Sequence, residues 1–229
     1  KEIGRREATW ETVVAGAVVG VAAMALFVRR QRRSPTPLID FTLFRASRFS
    51  AGVATAMATA AALVGIELIL SQRLQLVLGY SPLEAGLLIL PIPAAAFVAG
   101  PLAGLALPKL GVDRTLWLSL GVAGLGLALY ILSLGGAASV WLGALAVMGF
   151  GIGAAMTAAS STIMMSAPEN RAGMAASVEE VSYELGGAIG VAMIGSLMSL
   201  VYTASLMLPQ GLTGDKTALD SLDEADRKS

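Results

Sequence analysis

VWLGALAVMGFGIGAAMTAASSTIMMS, residues Val140 to Ser166, carries no charge and consists almost wholly of small and apolar side chains. A bilayer's hydrocarbon core of about 30 Å takes ~20 helical residues at ~1.5 Å rise each, so this stretch is long enough to cross it. The rest of the chain has the same character. Hydrophobic residues make up 55% of the 229 positions and charged residues only 14%, with a mean hydropathy of +0.73. Such a balance lies outside the range of soluble domains and predicts an all-α, polytopic membrane protein.

Working outward from Val140, five further spans are predicted, near Trp10–Val28, Phe49–Leu70, Ala85–Leu107, Thr115–Leu134 and Met174–Leu208. The charges fall between them, around residues 29–48, in short loops and in the tail. Arg29, Arg30, Arg32 and Arg33 stop the first span, and Leu38–Arg45 reads as a short interfacial helix after a proline-rich turn. Lys and Arg number six in residues 29–48, two in 109–114 and one at Arg171, against Arg73 alone on the alternate side. That asymmetry places the Arg-rich loops in the cytoplasm of a cell inner membrane. The expected organisation is a polar outer-face lead at 1–9, a span at 10–28, a cytoplasmic loop with its interfacial helix at 29–48, five spans within 49–208, and a polar outer-face tail at 209–229. The leading Lys1, Arg5 and Arg6 fit this orientation poorly, since they fall outside.

The chain has neither cysteine nor histidine. Cys or His nucleophiles, disulfides and zinc sites of the usual kind are therefore excluded, no metal or cofactor is implied, and no nucleophile and base pair suggests an enzyme. Zero formal net charge gives no nucleic-acid surface.

Ionisable groups at membrane depth are costly and draw functional attention. The densest set is in SVEEVSYE, Ser177 to Glu184, where Glu180 and Glu184 share a helix face and Tyr183 follows one turn after Glu179. A carboxyl that loads and releases a proton near neutral pH is what proton coupling requires, and its charged form attracts a cation. The alternative stays open at this point: Leu185–Leu208 is itself about long enough to span, and Ser177 with Glu180 matches a capping box, which would make the glutamates interfacial caps. Glu67 either pairs with Arg73 or sits at the outer mouth of a cavity, with Gln72 and Gln75 as polar lining. Trp10, Trp117 and Trp141 lie near helix ends as interface anchors. Gly100–Gly104, Gly149–Gly153 and Gly186–Gly190 carry the small-xxx-small spacing of close helix contacts, and Pro91, Pro93, Pro101 and Pro108 should bend or break the third span.

Several stretches resemble the fourteen-helix drug:proton antiporter branch of the major facilitator superfamily, of the quaternary-ammonium and methyl-viologen efflux type. The most specific is LQLVLGYSPLEAGLLILP, Leu74 to Pro91. PLIDFTLF at Pro37–Phe44 is similar to the segment before the family's ninth helix. GLALPKLG at Gly104–Gly111 resembles the second-half loop motif, with Pro108 where the first-half copy has an aspartate. RAGMAASVEE at Arg171–Glu180 resembles the start of the penultimate helix, where acidic residues are implicated in cation recognition and coupling.

The resemblance implies a partial major facilitator fold holding helices eight to thirteen, with N-terminal helices and a last helix of the same chain as partners. It implies proton-coupled efflux of lipophilic cations by alternating access, with protons and the lipid bilayer as further partners. The candidate coupling and cation residues are Glu179, Glu180, Glu184 and Glu67. The candidate cavity or gating residues are Tyr183, Gln72, Gln75, Pro101, Gly104, Lys109 and Arg114. A non-transporting membrane scaffold, held together by the same small-residue interfaces, is the rival reading.

Overall fold

The computed structural model describes residues 10–34 and 39–205; the lead at 1–9, Pro35–Leu38 and the tail from 206 on, with the expectations made for them, lie outside the described residues. Seven helices follow in order: α1 (Trp10–Arg33), α2 (Ser47–Gln72), α3 (Pro82–Ile89), α4 (Pro91–Leu110), α5 (Val112–Leu132), α6 (Ala138–Ser166) and α7 (Ala172–Ser205). Counting α3 with α4, six spans among the described residues are long and apolar enough to cross a membrane, matching the six expected. The connections are short helical turns at Phe41–Arg45, Arg73–Val77 and Glu169–Arg171. The segment expected as a short interfacial helix is, over Phe41–Arg45, a 3-10 turn with Asp40 as its N-cap.

Local chemistry explains the boundaries. Ser81 caps α3 through a complete capping box, its hydroxyl accepting from the Glu84 amide while its own amide donates to the Glu84 carboxylate at 2.9 Å, and Pro82 fills the first helical position. The expected proline break falls at Leu90–Pro91, where the missing N–H separates α3 from α4; Pro101 and Pro108 remain inside α4. Gly111, at φ 78°, closes α4 and lets α5 start at the next residue.

The bundle is organised around α6, which packs against α4, α5 and α2, while α7 packs chiefly on α2. Close approach depends on glycine. A Cβ at Gly149 would overlap the Ile92 carbonyl, one at Gly153 would lie 2.6 Å from the Ala96 Cα, and one at Gly126 would overlap the Met148 backbone. Gly186 and Gly190 play the same part between α7 and α2, against Met57 and Ala61. Two of the three expected small-residue motifs are therefore interfaces. The third is so only at Gly100, since a Cβ at Gly104 would meet nothing within 4 Å. In lipid such contacts hold helices by dispersion, because the tails are as apolar as the side chains. Buried hydroxyls are satisfied within their own helices: Thr59 donates to the Thr55 carbonyl at 2.7 Å, Thr162 to Ala158 and Ser182 to Val178 at 2.6 Å each. Among the described residues no buried side-chain nitrogen or oxygen lacks a partner.

Candidate functional site

The glutamates lie inside a helix. Because α7 begins at Ala172, Ser177 is an interior residue, and its hydroxyl donates to the Gly173 carbonyl at 3.0 Å. The capping box suggested by Ser177 and Glu180 does not form. By helical rise, Glu180 stands about 12 Å and Glu184 about 18 Å from the start of α7. The face of α7 turned to α2 is made by Ala175, Val178, Ser182 and Gly186, all buried. Glu180 and Glu184 lie off that face and are exposed from the bundle, without an ion-pair partner among the described residues. Glu179 is half-buried. Its carboxylate neighbours the hydroxyl of half-buried Tyr183, which donates to the Met156 carbonyl of α6 at 3.2 Å. Tyr183 thereby ties the acidic stretch to the central helix.

The expected pairing of Glu67 with Arg73 is not found. Arg73 instead donates to the Tyr130 hydroxyl of α5 at 2.8 Å, leaving Glu67 half-buried on α2 with no ion pair among the described residues. The α-helical register still holds at Arg73, whose amide bonds the Ile69 carbonyl, so two residues six apart fall on different faces of the helix; the π-helical turn begins only there and runs through Val77. Gln72 is partly buried, and Gln75 donates to the Ser71 hydroxyl at 2.8 Å. Tyr130 was not anticipated, because a tyrosine inside an apolar run reads as packing until its partner is known.

At the Arg-rich end, Gly104, Pro108 and Arg114 border a hollow of about 640 Å³ that also touches Arg48 and Asp113. Arg48 and Asp113 form an exposed ion pair at 3.5 Å. Pro101 and Lys109 are exposed and do not line this hollow. Trp117 is exposed, as an anchor would be, whereas Trp141 is half-buried against the Leu70, Tyr130 and Leu145 cluster.

The same end holds a second pair that sequence reasoning missed. Arg171 donates to the Asp40 carboxylate and, at 3.2 Å, to the Thr42 hydroxyl. The Thr42 amide donates to Asp40 at 2.8 Å. Hydrogen bonds from the Thr42 hydroxyl and amide, with the charges of Arg171 and Arg45, hold the Asp40 carboxyl below its usual range. The available signal was Asp40 two residues before Thr42, an N-cap spacing, but nothing local points to Arg171.

Comparison with known proteins agrees with the architecture. The sequence profile of the Major Facilitator Superfamily matches residues 4–191. The methyl viologen resistance protein SmvA of Salmonella typhimurium is 38% identical over 210 residues, covering 88% of this chain and 41% of that protein. The multidrug efflux pump LfrA of Mycolicibacterium smegmatis is 35% identical over 202 residues, covering 87% and 40%. The multidrug resistance protein Stp of Mycobacterium tuberculosis is 33% identical over 199 residues, covering 86% and 37%. The chain thus spans about two fifths of the length of these relatives. With six apolar spans, a helix-only fold among the described residues and a family match over most of its length, the chain belongs to the major facilitator superfamily, as a multi-pass membrane protein.

Proposed function

We propose that this chain forms part of a proton-coupled secondary active exporter of lipophilic cations, with Glu179, Glu180 and Glu184 as the groups that exchange protons for substrate. The observation that carries the reading is the open face of α7, where Glu180 and Glu184 stand within a span and without a cationic partner among the described residues. An uncompensated carboxylate at membrane depth is costly unless a proton or a cation occupies it. The competition between the two is the elementary step of antiport. Relatives named for methyl viologen resistance and multidrug efflux support the substrate class.

In this reading the Arg-rich loops face the cytoplasm of the inner membrane, by the positive-inside rule. The carboxylate face of α7 borders a cavity between this bundle and a second one. Rocking of the two bundles exposes the glutamates alternately, so that a proton loaded from outside displaces the cation and a cation bound from inside displaces the proton. The test is pH-driven ethidium efflux from vesicles containing the full-length protein. Loss of coupled efflux in Glu179→Gln, Glu180→Gln or Glu184→Gln variants is the expected result, and undiminished coupled efflux in all three overturns the assignment.

A further inference from the structure

The Asp40–Arg171 pair joins positions 131 residues apart and differs in kind from its neighbour at the same end of the bundle. The side chains of Arg48 and Asp113 are 76% and 69% exposed, whereas those of Arg171 and Asp40 are 38% and 19% exposed. Partial shielding leaves the second pair less screened and better held. It is also reinforced: Thr42 bonds to both partners, and the Asp40 amide lies 2.9 Å from the Met174 sulfur on the first turn of α7. Beneath the polar contacts, Leu43 and Phe49 are buried in one cluster with Ile163 of α6 and with Ala175 and Val178 of α7. Tyr183 packs against that same cluster, and Val178 is adjacent in the chain to Glu179. Arg171 is the residue immediately before α7.

We propose that Asp40 and Arg171 are positioning residues, whose ion pair straps the 39–45 segment across the start of α7 and so fixes where Glu179 and Tyr183 stand against α2 and α6. The strap acts through packing: the ion pair holds Leu43 in place, Leu43 and Phe49 support Ala175 and Val178, and the next residue is Glu179. Releasing it loosens the first turns of α7 without touching Glu179, Glu180 or Glu184, so turnover should fall while cation affinity stays unchanged. The transport half of this inference rests on the function proposed above; the strap itself does not.

The experiment uses the full-length protein in vesicles, with Leu43→Cys as a reporter of strap opening and Asp113→Cys, exposed at the same end and outside the strap, as the reactive control. Asp40→Asn and Arg171→Gln should each raise maleimide labelling of Leu43→Cys relative to the control by about five-fold, the population change that goes with losing a pair worth ~1 kcal/mol. Without the reporter, each should lower the maximal ethidium efflux rate several-fold at unchanged half-saturating concentration. The charge-exchanged Asp40→Arg, Arg171→Asp protein should regain more than half of both losses. Unchanged labelling in the single variants, or labelling that rises while efflux keeps its maximal rate, overturns the proposal, as does an exchanged protein no better than the singles. Efflux absent from the unsubstituted protein would refute the transport reading and the positioning role together, while the labelling arm would still decide whether the strap exists.

Discussion

The spans built on α6 and α7 are nearly matched in length and hydropathy and opposite in burial. They cover 29 and 33 residues with hydropathies of 1.7 and 1.6 over their most apolar windows, yet 56% of that window is buried in the bundle for α6 and 11% for α7. α6 meets α4, α5 and α2, so its glycines and alanines are spent on contact in several directions. α7 meets mainly α2, along the stripe of Ala175, Val178, Ser182, Gly186 and Gly190, and keeps its carboxylates elsewhere. One helix holds the bundle together, and the other leaves Glu180 and Glu184 exposed. Equal hydropathy conceals the division because a membrane helix is apolar whether it faces lipid or protein.

The largest test of the contrast is steric. Gly149→Leu forces a branched side chain into the Ile92 backbone and should abolish recovery of folded protein, a cost of at least ~3 kcal/mol, whereas Gly195→Ala on α7, where a Cβ meets open space, should change the melting temperature little. Size-exclusion profiles and thermal melts in detergent read both. Carboxylate neutralisation inverts the pattern: Glu180→Gln should leave the melting temperature within about 2 °C while removing coupled efflux. A strongly destabilised Glu180→Gln protein would mean that α7 is a structural helix like α6.

Smaller effects probe the ends of the bundle. Tyr130→Phe removes the oxygen that Arg73 reaches from the π-turn, and should cost about 1 kcal/mol by thermal melt. The Asp40 carboxyl is held below its ordinary value of 3.8 in the fold, so its contribution is present in full above that value and is lost as pH falls through the lower, folded one. The stability deficit of Asp40→Asn against the unsubstituted protein, read by thermal melt, should accordingly hold from neutral pH down to the carboxylate range and shrink only below it. Asp113→Asn, which breaks the exposed pair with Arg48, should move stability by no more than about 0.5 kcal/mol.

Much of this was legible beforehand, for a physical reason. Span positions follow from the cost of leaving charges in hydrocarbon, so the runs between Arg33, Arg73, Arg114 and Arg171 announce themselves. Glu179, Glu180 and Glu184 stand out for the same reason, since three carboxylates in an apolar helix are rare. Whether they cap α7 or lie within it was not legible, because Ser177 and Glu180 have the spacing of a capping box and only the extra turn from Ala172 makes Ser177 an interior residue. The Glu67–Arg73 pairing failed because residues six apart on a helix do not share a face, and Arg73 finds its partner, Tyr130, 57 positions away on another helix. Asp40 and Arg171 each look like solvated loop charges when read alone.

By itself, then, the sequence determined the solvent, the number of spans and the family, because hydropathy and motif spacing are local properties of the chain. Which helix becomes the centre, which face of α7 is left open, and which charges meet across 131 residues were decided only by the tertiary structure. Lipid removes the contrast between an apolar inside and a polar outside, so helix partners are selected by the fit of glycine notches to backbones, and that fit exists only once the helices are side by side.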